Sequence, residues 1–319
     1  MPVEEAVGPS REPGPPKTEI RRNHSRKWPV AQVLTAGSRF AGLVPGVVTR
    51  VAAETAAMGL AHAPMSGEQR DLVAKHLRRV YGEDLRGVTL TRRINEAYAS
   101  HGRYWAESLR LSTLSAADID AGFSYRGIGH IDDARAKGNG AILALPHLGG
   151  WEWGGYWLVT TGRPVSVIVE NLEDSQAFEW FASWRRRMGM EIIPTGPDAA
   201  RLALTALRAN RVLCLLCDRT VGDTPGIPVE FFGETTLLPS GPVTLAMRSG
   251  APLLPAAVYF GARTDAHLGV VKPPLDLTRR GRFRDDVAAG TQQLASELEG
   301  LIRRAPTQWH LFQPNWPSD

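Results

Sequence analysis

Several features that would assign a chain of this size quickly are missing from it. No stretch of about twenty residues is free of charge, which argues against a helix that crosses a bilayer. The first twenty residues, MPVEEAVGPSREPGPPKTEI, lack the apolar run of a signal peptide, which predicts retention in the cytoplasm, and residues 1–27 read as a disordered tail. Only two cysteines occur in 319 residues. Cys214 and Cys217 stand three apart in the apolar run VLCLLC, so on a strand they point to opposite faces, which disfavours a disulfide or a metal pair. They read as reduced packing residues, in keeping with a reducing compartment. There is no GxSxG elbow to present a serine nucleophile. There is also no basic stripe interleaved with aromatics, nor a known module, to bind nucleic acid.

The net charge of +4 is modest, but arginine clusters as Arg78/Arg79, Arg92/Arg93, Arg185/Arg186/Arg187 and Arg303/Arg304. Such groups suit anionic lipid or phosphate, or stand as solvated helix faces. From Trp28 to about Leu60 the sequence is apolar with sparse charge and is broken at Pro45-Gly46. It reads as two helices that dip into a headgroup region or pack on the protein's own core. Helical spacing continues from Ser66 to Leu111, where Ser66 and Gln69 have the separation of a capping box.

After Gly140 short apolar runs alternate with helical patterns. Strands are expected at 141–146, 165–170, 191–194, 212–218, 229–232, 253–260 and 267–272, and helices at about 151–161, 175–188, 198–209, 240–249 and 284–304. This alternation predicts an α/β fold: a central, mostly parallel mixed sheet flanked by helices, preceded by an N-terminal helical annex. The acting unit spans 28–319, with the helices in 28–112 and the α/β core in 113–319. Ligands of such sheets sit beyond the carboxyl ends of the strands, so strand-end residues come first as site candidates.

The sharpest local feature is PHLGGWEWGG, where an apolar strand runs into His147 and Glu152 opens the next helix. A neutral imidazole at a strand end suits a general base near pH 7, and a carboxylate on its far nitrogen would orient it. Glu152 is the candidate partner, with Gly149 and Gly150 supplying the bend that a straight helix would not allow. The helix start also offers N–H groups to an anionic oxygen. Asp218 follows a buried strand and needs a partner or a use there, and Arg219 is the nearest cation. Trp151, Trp153 and Trp157 line an acyl channel, meet a membrane interface or simply pack. His310 reads as a structural residue, Ser240 as a helix cap.

Taken in order, HLRRVYG, RYWAESLRL, PHLGGWEWGG, VENLEDSQAFEWFASWRRRMGMEIIP, CLLCDRTVGDTPGIPVEFFGE, LPSGPVTLAMRSGAPLLPA and PTQWHLFQPNW resemble the lysophospholipid acyltransferase superfamily. Within it they are most similar to lipid A lauroyl and phosphatidylinositol mannoside acyltransferases. The resemblance covers nearly all of the chain from Trp28. It implies His147 as base, Glu152 as its partner, and Asp218 with Arg219 as a second motif lining the acceptor site, together with Phe232, Gly233 and Glu234. Three departures stand out. Glu152 replaces the more frequent Asp, Asp218 replaces Glu, and Asn171 follows Glu170 where a cation is common, which makes Arg185 and Arg187 the substitutes to examine.

The function so implied is transfer of a fatty acyl chain from acyl-CoA, or an acyl carrier protein, to a hydroxyl of a membrane glycolipid such as a phosphatidylinositol mannoside. It would occur peripherally at the cytoplasmic face of the cell membrane, with no metal and no cofactor beyond the donor. Alternatives are the same chemistry on a lysophospholipid, another glycolipid or a secondary metabolite, hydrolysis of thioesters, and a non-catalytic lipid-binding role.

Overall fold

The computed structural model describes residues 30–170, 175–222 and 226–319. The expected tail at 1–27 and the departure at Asn171 lie outside them. The order along the chain is α1 (Val30–Leu43), α2 (Gly46–Ala61), α3 (Gly67–Tyr81), α4 (Gly87–Leu111), α5 (Ala116–Ala121), β1 (Phe123–Arg126), α6 (Gly129–Ala136), β2 (Ala141–Leu145), α7 (Trp151–Thr160), β3 (Val165–Val169), α8 (Ser175–Arg187), β4 (Glu191–Pro194), α9 (Ala199–Arg208), β5 (Val212–Leu216), β6 (Gly226–Phe231), β7 (Glu234–Pro239), α10 (Gly241–Ser249), β8 (Leu253–Phe260), β9 (His267–Val271) and α11 (Phe283–Ile302).

Seven strands form one sheet in the order β1-β9-β8-β2-β5-β3-β4. All neighbours are parallel except β8 and β9. The fold is therefore α/β with a mostly parallel mixed sheet and an N-terminal helical region. β2 is buried at every position because both sheet faces are covered, so it reads as a continuous apolar run with no alternation. Ile142 and Ala144 face a layer built from α9, α10, α11 and the β6–β7 hairpin, while Leu143 and Leu145 face α5, α6, α7 and α8.

Two strands were not legible. β1 has only four residues with an exposed pattern, and β7 is split from β6 by a two-residue turn. That turn is Phe232-Gly233 with φ of 54° and 77°, the left-handed pair that matches the twist of a tight hairpin.

The helical annex packs on the core through α4, which carries α2 along its length. Their approach is close enough that a Cβ on Gly102 would lie 2.5 Å from the Ala53 carbonyl oxygen. The expected break at Pro45-Gly46 separates α1 from α2. The Ser66/Gln69 capping box does not form. Ser66 Oγ donates to the Leu60 and Ala63 carbonyls, because a short 3-10 turn at Pro64–Ser66 leads into α3, and Gln69 accepts from the Tyr98 hydroxyl. Ser240 stands at the start of α10 without a capping bond from its side chain.

No helix among the described residues is long and apolar enough to cross a membrane. The annex nevertheless exposes large apolar side chains around the α1–α2 junction, with Leu43 at 85% and Val47, Val48 and Val51 near half exposure. Leu60, Met65 and Val88 add to the exposed apolar surface of the annex.

Candidate active site

The parallel pairing of β2 with β5 sets the site. Their register matches Leu145 with Leu216, and each chain then leaves the sheet for two residues, to His147 and Asp218. The two side chains meet there. His147 Nδ1 lies 2.6 Å from Asp218 Oδ1, and the His147 backbone N–H donates to Asp218 Oδ2 at 2.9 Å. The Trp309 indole N–H donates to the same Oδ2 at 2.7 Å. The Asp218 side chain is fully buried, while His147 keeps 18% of its side chain exposed, so the imidazole is the member of the pair that reaches out.

Burial alone would push the Asp218 carboxyl up. The charge of His147 beside it and the hydrogen bonds from His147 and Trp309 outweigh burial and hold it below the usual carboxylate range. In the neutral ring the ionised Asp218 accepts from the Nδ1–H of His147, which leaves the lone pair on Nε2.

Glu152, expected from its spacing to orient His147, is turned elsewhere. Its two oxygens are bonded by Arg185 of α8, with the Arg185 Nε at 3.2 and 3.1 Å and Nη2 closing the fork. The physical reason is the helix. Glu152 is the second residue of α7 and points under it toward α8, while His147 lies before the bend at Gly149, whose φ is +59°. Arg219, expected as the cation for Asp218, pairs instead with Glu170 at the end of β3 (2.9 Å).

The N–H groups of Gly149 and Gly150, the residues expected to supply the bend, are taken by the Gln308 and Val258 carbonyls. Glu234 bonds Arg79 and Ser318, and Phe232 packs on Trp309 and under Arg303. Phe232, Gly233 and Glu234 therefore brace the β6–β7 hairpin against α3 and the C-terminal segment. His310 is buried, donates its backbone N–H to the His147 carbonyl and bonds Ser100 through Nε2, which fits the structural reading.

Beneath α7 lies an apolar cavity, with about 810 Å³ of empty space when its open mouth is included. Its floor is the sheet face formed by β1, β9, β8, β2, β5 and β3, and its roof includes Trp151, Gly154, Gly155 and Trp157. Cys214 and Ala256 are small side chains on the floor, while Gly154 and Gly269 let Val258 and Phe123 pack closely against the backbone. Cys214, Leu216, Val167 and Val169 are only partly buried although they stand on central strands, because they face this cavity.

Trp151 also packs edge-on to the His147 ring at 5.6 Å, so one side chain borders both the imidazole and the cavity. The Glu152–Arg185 pair supplies the charged part of the lining. Trp153 does not reach the cavity lining; it stacks on His267 at 4.3 Å. Of the three tryptophans that one reading set along an acyl channel, Trp151 and Trp157 line this cavity, whereas the contact of Trp309 with Asp218 had no signal in the sequence.

A histidine–carboxylate pair at a strand end beside an apolar cavity in an α/β sheet has the chemistry to take a proton next to a bound hydrocarbon chain. The model of the bacterial lipid A biosynthesis acyltransferase family matches residues 16–318, and the chain belongs to that family. It is 38% identical over 227 residues to phosphatidylinositol mannoside acyltransferase of Mycobacterium tuberculosis, covering 69% of each chain. The enzyme of that name from Mycolicibacterium smegmatis is 36% identical over 229 residues, 71% of this chain and 73% of its own. A lipid A biosynthesis acyltransferase of Haemophilus influenzae is 25% identical over 186 residues, 57% of this chain and 55% of its own. The chain is thus an acyltransferase of lipid biosynthesis.

Proposed function

We propose that this enzyme moves a long acyl chain from acyl-CoA to a hydroxyl of a membrane glycolipid, most specifically a phosphatidylinositol mannoside, with His147 as general base. The carrying observation is the His147–Asp218 pair beside the apolar cavity, with Trp151 bordering both. His147 Nε2 takes the proton of the acceptor hydroxyl as its oxygen attacks the thioester carbonyl. The tetrahedral intermediate then expels the thiolate, which takes the proton back from the imidazolium. Asp218 stays ionised and stabilises that imidazolium, as the buried acid of a triad does. The thioester is already activated, so alignment and a base supply what the reaction needs.

Residues of six strands border the cavity, and its apolar lining suits a long hydrocarbon chain, which supports a palmitoyl-type donor. Arg219 and Glu170 on the strand-end rim are the polar groups we assign to the acceptor. The exposed apolar side chains around the α1–α2 junction support contact with a leaflet.

The test is to incubate purified protein with palmitoyl-CoA and a panel of phosphatidylinositol mannosides, lysophospholipids and other glycolipids, following thiol release and identifying products by mass spectrometry. The proposal expects an acylated mannoside and thiol release that depends on acceptor. Equal thiol release without acceptor would mark a thioesterase, and acylation of a lysophospholipid alone would reassign the acceptor.

A further inference from the structure

The segment after α11 runs back across the mouth of the sheet and touches both members of the catalytic pair. Its backbone brackets the histidine: Gly149 N–H donates to the Gln308 carbonyl at 2.9 Å, and His310 N–H donates to the His147 carbonyl at 2.7 Å. Leu148 and Trp309 form an antiparallel bridge between these two bonds. Its side chains bracket the acid. Trp309 Nε1 donates to Asp218 Oδ2 at 2.7 Å, and Asn315 Nδ2 donates to the Asp218 carbonyl at 3.1 Å.

The carboxylate is thereby divided between two jobs. Oδ1 faces the imidazole, while Oδ2 is held by an indole N–H and a backbone N–H. Rotation of the carboxylate about its own bond would break both Oδ2 contacts in a buried setting where no water replaces them. The indole is in turn wedged by Phe231, Phe232, Trp316 and His76, with ring centroids 5.6 to 6.2 Å away. His76, the titratable group of that wedge, is occupied by Asp319 and the Leu311 carbonyl.

We infer that Trp309 is a positioning residue of the reaction, whose indole N–H fixes Asp218 so that Oδ1 stays aligned on His147 Nδ1. The inference rests on the assignment of His147 as base. Trp309 lies outside the cavity lining and its indole N–H goes to Asp218, so its effect is carried through that carboxylate and belongs in kcat and in the pH profile with KM left in place.

The experiment replaces Trp309 with phenylalanine and, separately, with benzothienylalanine, which keeps the bicyclic shape and puts sulfur where the N–H was. Asp218→Asn and His147→Ala run beside them, all compared per folded molecule. Loss of a hydrogen bond to a charged group lowers kcat by about 10- to 100-fold when that bond matters fully in the transition state. We expect such a fall with the benzothienyl variant, KM for donor and acceptor within twofold, and the acid limb of the kcat profile moved to lower pH, because a carboxylate that swings off Nδ1 stabilises the imidazolium less.

Wild-type kcat and an unmoved acid limb in the benzothienyl variant overturn the inference while an inactive Asp218→Asn leaves the base assignment standing. Full activity of His147→Ala and Asp218→Asn overturns the base assignment itself. Should Trp309→Phe fail to fold, the benzothienyl variant decides alone.

Discussion

Glu152 and Arg185 form a two-oxygen ion pair in which Glu152 is almost fully enclosed, between the first turn of α7 and the last turn of α8. Desolvation by itself works against the Arg185 charge, but Glu152 more than compensates and holds the guanidinium above its ordinary range. The acid closest in sequence to the proposed base therefore serves as a tie between two helices over the cavity.

This pair gives the first prediction. Breaking a buried ion pair by removing one partner costs about 3–5 kcal/mol, because the other charge is left uncompensated. Arg185→Met is expected to lose stability of that order in urea unfolding, and Glu152→Met/Arg185→Met to recover most of it. Glu152→Gln is expected to lower kcat less than Asp218→Asn does. The opposite ranking would return Glu152 to the position of orienting acid.

The cavity gives the second. Cys214 faces it from a central strand, and a larger side chain there shortens the space left for a chain. Cys214→Phe is expected to reduce kcat/KM for palmitoyl-CoA by at least about tenfold relative to octanoyl-CoA, since a few methylenes denied burial cost about 0.8 kcal/mol each. An unchanged ratio in a folded variant would remove the acyl chain from this cavity.

Acid sensitivity is the third. Burial drives the His101 imidazole down to about 4. His76 is also lowered, burial outweighing the pull of Asp319, and His310 is lowered by burial and then by the neighbouring His101 and His147. Folded-state values below the unfolded value of about 6.5 mean that the unfolded chain binds more protons in between, so stability present above about pH 6.5 is lost as pH falls toward the folded values. For His101 the loss between pH 7 and 5 is about 2 kcal/mol. His101→Phe should flatten the fall of Tm between pH 7 and 5, and an identical slope in that variant would contradict the assignment.

The annex gives the fourth. Replacing Leu43, Val47 and Val48 together by serine removes exposed apolar area without touching the core. If these side chains enter a leaflet, each contributes on the order of 1 kcal/mol or more, and the triple variant should bind anionic vesicles at least about tenfold more weakly. Equal sedimentation of both proteins with vesicles would place membrane contact elsewhere.

Most of the architecture was legible because it follows from short-range pattern. The apolar runs at 141–146, 165–170, 212–218 and 253–260 are strands because both sheet faces are buried, and the Pro45-Gly46 break separates two helices as its chemistry requires. What failed were inferences that equated proximity in sequence with proximity in space. Glu152 is five residues from His147 and turned away from it, whereas Asp218 is 71 residues away and bonded to it. Only the register of β2 on β5, which no local pattern contains, brings the latter two together. Trp309 is further still from Asp218 along the chain, 91 residues, and its role depends on where the C-terminal segment crosses the sheet.

The proposed transfer turns on the imidazole of His147. Its most direct test is the rate of acceptor-dependent acyl transfer from palmitoyl-CoA by folded His147→Ala. A fall of about 10²- to 10⁴-fold, with donor binding retained, is the result expected of a lost general base. Transfer at the wild-type rate would contradict it, and the proton would have to leave by another group.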